Sequence, residues 1–195
     1  NTFETIIWMS ASGKKEGVVE VTAALAQLFR TSISQGESLV EMNVELENIE
    51  SYLTIQKLRY KDKLTYQIDI PHRLRNLMLP KLILQPIVEN AIYHGIKPSP
   101  QGGKVSISAW RRGDLLTITV KDDGVGMTEE QIAHLFLTRV NDNRGIGVRN
   151  VENRIKLVFG PSYGLHYACP AEGGTQVAIR LPVIESDNSG GENSL

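Results

Sequence analysis

Three short clusters in this chain have residue types and spacings that could do chemistry. In Glu89-Asn90-Ala91-Ile92-Tyr93-His94-Gly95, three polar side chains interrupt a helix that otherwise reads as buried. Asn90 and His94 are four apart and share a helical face. An Asn carbonyl oxygen is a hard donor that suits Mg²⁺, and a neighbouring carboxylate such as Glu89 can orient or deprotonate a nucleophile. The same heptapeptide also reads as a plain helix end with a capping histidine. Asp122-Asp123-Gly124-Val125-Gly126-Met127 follows a predicted strand and precedes a predicted helix. Its glycines permit a sharp turn and close approach by a ligand, and an Asp at a strand end can accept a hydrogen bond from an exocyclic amine. Alone, an ordinary Asp-Gly turn is the commoner explanation. In Arg144-Gly145-Ile146-Gly147-Val148-Arg149-Asn150, glycines open a helix, where free N–H groups and the helix dipole attract phosphate. The run lacks a third glycine and follows an Asn/Asp-rich loop, which argues against a dinucleotide fold. No GxxxxGK[ST] occurs, so the P-loop class is excluded.

The elements that must hold these clusters can be read from apolar spacing. Residues 1–65 are expected to be helical: a short turn or two through Phe3, Ile6, Ile7 and Met9, a break at Ser12-Gly13-Lys14-Lys15, then a helix from Glu16 to about Ser34. Gln35-Gly36-Glu37 is a stop. A second long helix is expected from Asn43 to Lys61, with Asn43, Glu45 and Glu47 at its start and Leu46, Ile49, Leu53 and Leu58 as its buried stripe. Near residue 64 the pattern changes to alternation. Strands are predicted at Leu64–Ile70, Lys104–Trp110, Leu115–Val120, Leu165–Cys169 and Thr175–Leu181. Between them, Pro80 is expected to open the helix that ends at Gly95. Thr128 caps a short helix to Phe136, and another helix runs from Gly145 to Phe159. This is an α+β sandwich, a mostly antiparallel or mixed sheet with helices on one face, at residues 66–185. The polar, glycine-rich stretch 186–195 is expected to be disordered.

Composition narrows the classes. The chain has 195 residues, 41% of them hydrophobic and 22% charged, which is ordinary for a globular protein. Twenty-one Lys+Arg against 22 Asp+Glu leave a net charge of -1, so there is no global field for nucleic acid. The single cysteine, Cys169, can make neither an internal disulfide nor a Cys-based zinc site and fits a reducing compartment. No apolar run reaches the ~20 residues of a membrane span, and no signal peptide is visible. Because it starts at Asn1, the sequence is expected to be part of something longer.

The order of the clusters carries more than any one of them. An Asn-bearing helix, an Asp-x-Gly-x-Gly turn, a lid-like stretch at Leu137–Asn143, a Gly-x-Gly helix start and the Gly173-Gly174-Thr175 strand follow one another. This resembles the Bergerat-type ATP-binding fold shared by histidine kinases, gyrase-type ATPases, Hsp90 and MutL. The resemblance implies that Asp122 holds the adenine amine with help from Thr175, and that Asn90 ligates Mg²⁺ between the phosphates of ATP. It also implies that Gly124 and Gly126 shape the adenine pocket, while Gly145 and Gly147 cradle phosphate. Glu89 is the candidate catalytic carboxylate, and His94 belongs to the nucleotide cluster. Asp123 stands where many kinases of this fold have Asn.

The helical part resembles sensor histidine kinases of the LytS/YesM type, through Leu28-Phe29-Arg30, Val44-Glu45-Leu46-Glu47 and Tyr52 to Tyr60. In that family a Pro-His-Phe-x-x-Asn-Thr-x-x-x-Ile motif carries the phosphoacceptor, and Asn1-Thr2-Phe3-Glu4-Thr5-Ile6 matches its tail. The acceptor is therefore expected upstream of Asn1, and the fragment is expected to lack autokinase activity. The resemblance further implies a response-regulator partner, a homodimeric parent, no nucleic acid, and a cytoplasmic position under a membrane-held parent. An anti-sigma-factor kinase or a gyrase-type ATPase is the alternative user of the fold, and a helical dimer with a degenerate nucleotide site is a third. The helical leader speaks against the alternative users, and the intact Asn90, Asp122, Gly126, Gly147 and Thr175 against the degenerate site.

Overall fold

The computed structural model describes residues 2–33, 38–137 and 146–186. In chain order its elements are α1 (Thr2–Ala11), α2 (Lys15–Ile33), β1 (Leu39–Glu41), α3 (Met42–Tyr60), β2 (Leu64–Asp69) and β3 (Met78–Pro80). There follow α4 (Leu84–Asn90), β4 (Gly103–Arg112), β5 (Leu115–Asp122), α5 (Glu129–Leu137), α6 (Ile146–Phe159), β6 (Gly164–Ala168) and β7 (Thr175–Pro182). The stop at 35–37, residues 138–143 of the expected lid, Gly145, and the tail beyond Ser186 lie outside the described residues.

The main sheet runs β2-β4-β5-β7-β6, with β2 parallel to β4 and every other pair antiparallel. Alternation sends Val105, Ile107, Ile118, Val120, Val177 and Ile179 to one face, where they are buried. Onto that face pack Ile87, Val88 and Ile92, and Val148, Val151 and Ile155 of α6. This is the α/β sandwich expected of the second part, with its helices on one side and Trp110 and Arg180 exposed among the strands.

The same core takes in Leu46, Ile49 and Leu53 of α3, so one apolar cluster runs across residue 66. Leu58, expected in the α3 stripe, is only partly buried. Ile55 is buried instead, in a separate cluster with Met9, Val21 and Ala24 of the α1–α2 hairpin. Helix α3 therefore faces the sheet domain on one side and the hairpin on the other.

One helix start differs from expectation. Pro80 does not open a helix. It ends β3, which pairs antiparallel with β1, and α4 begins at Leu84. A short apolar run ending in proline has no periodicity of its own, and here its backbone finds partners in β1, a segment too brief to read from alternation. Helix α3 begins at Met42, beside the expected Asn43 and with Glu45 in its first turn, and the residues expected to start it have further roles. Asn43 Nδ2 donates to Glu47 Oε1 at 2.8 Å, and Glu45 reaches out to α4. The start of α5 matches expectation and shows why. Thr128 Oγ1 accepts from Gln131 N at 3.2 Å, and Gln131 Oε1 accepts from Thr128 N at 2.8 Å, a reciprocal capping box.

Candidate functional site

Asp122 is the last residue of β5 and lies in register with Thr175, the first of β7. Antiparallel pairing of these alternating strands thus brings together two polar residues 53 positions apart in sequence. Both are buried, at 3% and 6% exposure. Asp122 Oδ1 accepts from Gly124 N at 3.0 Å, and Thr175 bonds the carboxylate through both its backbone and its hydroxyl. Burial still pushes the Asp122 carboxyl above the ordinary carboxylate range, against those donors and with a smaller upward push from Asp123. An incoming N–H would add a further donor to this buried carboxylate.

Glycines let three backbone segments meet at this carboxylate. A Cβ on Gly95 would stand 2.4 Å from Asp122 Oδ1, and one on Gly124 would stand 2.2 Å from the Gly95 carbonyl carbon. Gly126 approaches the Gly174 carbonyl oxygen, which a Cβ would meet at 3.0 Å. Gly95 belongs to a π-helical turn, Ala91–Ile96, that continues α4. Such widened turns recur at functional sites. Here the turn carries Gly95 close enough for its carbonyl to accept from Val125 N at 3.1 Å.

Asp122, Gly124, Gly126 and Thr175 are therefore gathered in one place, and Gly95 and Gly174 join them. Sequence reasoning quoted both of these glycines without giving either a role. Only the crossing of the π turn with the β5 turn shows what they do. Asp123, whose contact the sequence left open, accepts from Lys104 N at 2.6 Å and ties the start of β4 to the turn.

Asn90 and Glu89 close α4 facing different elements. Asn90 forms a hydrogen bond with Tyr167 of β6, a bond that lowers the tyrosine's pKa against the larger upward push of burial. Nothing in the alternation of β6 marked Tyr167. Glu89 Oε1 instead accepts from Gln85 Nε2 at 2.9 Å, and its charge acts on Tyr52 of α3. His94 is exposed on the π turn, and Gly147 is exposed in the first turn of α6, where a Cβ would lie 3.3 Å from Pro86 Cβ of α4.

No group of three or more His, Cys, Asp or Glu is arranged to hold a metal among the described residues. The donor set fits Mg²⁺ only as an ion brought with phosphate oxygens, to which Asn90 would add one oxygen.

The pattern of the histidine kinase-, DNA gyrase B- and HSP90-like ATPases matches residues 78–185, more than half of the chain. The chain belongs to this ATPase family. Residues 1–64 match the histidine kinase family. Among similar proteins, the sensor histidine kinase YesM of Bacillus subtilis is 32% identical over 182 residues, covering 93% of this chain and 30% of that protein. The sensor protein LytS of Streptococcus mutans is 29% identical over 198 residues, covering 100% of this chain and 33% of that protein. The ATPase chain thus spans about a third of the length of these relatives. The catalytic domain of histidine kinase ThkA shares its fold at a TM-score of 0.56 and 17% identity, covering 75% of this chain and 96% of that one. The mycobacterial sensor histidine kinase MprB does so at 0.53 and 19%, covering 77% and 99%. The two parts read from the sequence, an ATPase sandwich behind a histidine-kinase leader, correspond to the two stretches that these family patterns match.

Proposed function

We propose that this chain is the kinase portion of a two-component sensor. In this reading it binds ATP with Mg²⁺, transfers the γ-phosphoryl group to a histidine, and the phosphoryl group passes on to an aspartate of a response regulator. The observation that carries the reading is the buried Asp122–Thr175 pair. Its carboxylate is held above the ordinary range by burial, and it is floored by backbone at Gly95, Gly124, Gly126 and Gly174, a setting that suits an adenine amine. Asn90 would add its carbonyl oxygen to the metal, and Gly145 and Gly147 would present the α6 N–H groups to phosphate. Mg²⁺ supplies neutralisation of the phosphate charge when bound. Catalysis by the chain itself is then mostly positioning, with Glu89 and His94 kept beside the site on the helix that carries Asn90. The exposed Phe3, Ile7 and Trp8 of α1 support a homodimeric parent, in which a second hairpin would cover them. No described helix is long and apolar enough to cross a membrane, and the sensor relatives support a cytoplasmic position within a membrane-held parent. The histidine-kinase match of the helical leader favours this reading over an anti-sigma-factor kinase or a gyrase-type ATPase.

Asn90→Ala should weaken binding of Mg²⁺–ATP more than binding of metal-free ATP, because magnesium enters with the phosphates. Titrations with and without EDTA check this, and an equal loss in both would make Asn90 a structural residue only.

A polypeptide of residues 1–195 should bind ATP without labelling itself. His72, His94, His134 and His166 all lie outside the α1–α3 helical region, in the nucleotide domain, where in-line geometry with the γ-phosphate is not expected. Incubation with radiolabelled ATP should leave it unlabelled, while an upstream extension by the motif's missing turn should restore a base-stable, acid-labile label. Stable label mapped to any of the four histidines would contradict this assignment.

A further inference from the structure

The helix that carries Glu89 and Asn90 has no cap of its own. Position 83, before α4, is Ile83, which offers no side-chain acceptor. The N–H groups that open this turn are instead taken by a carboxylate from the other family region. Glu45 of α3, 1% exposed, accepts from Leu82 N at 2.6 Å through Oε1, and from Ile83 N at 3.0 Å and Leu84 N at 3.2 Å through Oε2. Leu82 is held at φ +58°, a left-handed conformation that a branched side chain rarely adopts. Arg154 of α6 donates to the adjacent Lys81 carbonyl, and its charge also acts on Glu45. Three elements thus meet at one carboxylate: α3, the start of α4, and α6.

The contact continues along both helices. Asn48, three residues on from Glu45 and 1% exposed, donates through Nδ2 to Gln85 Oε1 at 3.1 Å. Gln85 Nε2 in turn donates to Glu89 Oε1 at 2.9 Å. Tyr52, one turn beyond Asn48, lies within the field of Glu89. Positions 45 and 48 of α3 therefore set positions 82–85 through hydrogen bonds, which fix register in a way that apolar packing does not. A slip of one turn would leave two buried N–H groups, a half-buried one and a buried carboxylate without partners, a costly state.

We propose that Glu45 is a positioning residue for the nucleotide site. From α3, Glu45 sets the start of α4 and hence the placement of Asn90 at its end, so that metal–phosphate binding depends on how α3 sits. The inference rests on reading Asn90 as part of the nucleotide site. Its consequence is that the helical region acts on the ATP site through the end of α4, whereas the Asp122–Thr175 pair is held by β5 and β7, and Gly95, where this helix reaches the pair, is tied to the turn after β5 by Val125 N.

The test compares two ligands on the full chain. Adenosine probes the Asp122–Thr175 pocket alone, and Mg²⁺–ADP probes the pocket together with the Asn90 end. Glu45→Ala should weaken Mg²⁺–ADP about tenfold or more, within the range expected when a charged hydrogen-bonding group is removed. Adenosine affinity should stay within about twofold. Glu45→Gln keeps one acceptor oxygen and should fall between wild type and Glu45→Ala. It carries the same comparison if Glu45→Ala does not fold, and thermal melts followed by circular dichroism show which variants are folded. Equal losses for adenosine and Mg²⁺–ADP would reduce Glu45 to a residue of general stability, and no loss for either would also overturn the proposal. Asp122→Ala in parallel separates the two readings. If it leaves adenosine binding unchanged, the assignment of the nucleotide pocket fails, whatever Glu45 does.

Discussion

Asp122→Ala is expected to weaken ADP binding by ~10–150-fold, about 1.5–3 kcal/mol, the range for removing a charged hydrogen bond. Asp122 is 3% exposed and shares its carboxylate with Gly124 N and Thr175. A second effect separates binding from folding. Burial holds the folded-state pKa of Asp122 above the unfolded value, so the native state binds the proton more tightly. The stability it contributes is greatest at acid pH and is lost as pH rises through the raised value. The deficit of the variant in unfolding free energy should accordingly be larger at acid pH than at neutral pH, while its loss of ADP affinity is already present at neutral pH, where the carboxylate accepts. Calorimetry at neutral pH and denaturant melts across the acid range measure the two. Unchanged ADP affinity would remove Asp122 from the site, and a stability deficit that grew towards neutral pH would contradict the direction of its pKa.

The main sheet was legible in the sequence because its strands alternate. Leu115 to Val120 and Thr175 to Leu181 each send every second residue to the core, and that phase places Asp122 and Thr175 side by side at the strand ends. The helix carrying Asn90 was legible for its apolar run, but its start was not. Pro80 fits a first helical position as readily as a strand end, and the choice was made by β1, three residues long. Glu45 lies in the first turn of α3 as expected, yet its second role was hidden for a related reason. An acidic residue near the start of α3 satisfies the dipole rule locally, but only the tertiary arrangement shows that its oxygens cap α4. Tyr167 and Gly174 were out of reach, since each matters through a segment distant in sequence: Asn90 for the tyrosine, the Asp122 backbone for the glycine. Motifs made of neighbours can be read along a chain, whereas contacts between motifs depend on register and crossing.

Gly174→Ala is expected to do more damage than a left-handed glycine ordinarily would, and Gly113→Ala supplies the comparison. Both glycines have positive φ, +77° at Gly174 and +59° at Gly113, so alanine at either meets the left-handed penalty of roughly 1–2 kcal/mol. At Gly113, in the β4–β5 turn, a Cβ would find nothing within 4 Å. At Gly174 it would stand 2.0 Å from the Asp122 carbonyl oxygen and 2.9 Å from Asp123 Cα. Backbone cannot swing aside as a side-chain tip can, so overpacking of about 1–3 kcal/mol adds to the penalty. The segment forced to move is the one that carries the Asp122 carboxylate. Gly113→Ala should therefore lose only ~1–2 kcal/mol of stability and keep its ADP affinity. Gly174→Ala should lose about 2–5 kcal/mol and bind ADP at least tenfold more weakly even where it remains folded. Denaturant melts and ADP titrations on both variants decide the matter. Equal behaviour of the two would show that the crowding at Gly174 is absorbed elsewhere, and normal ADP binding by a folded Gly174→Ala would detach the β7 start from the nucleotide pocket.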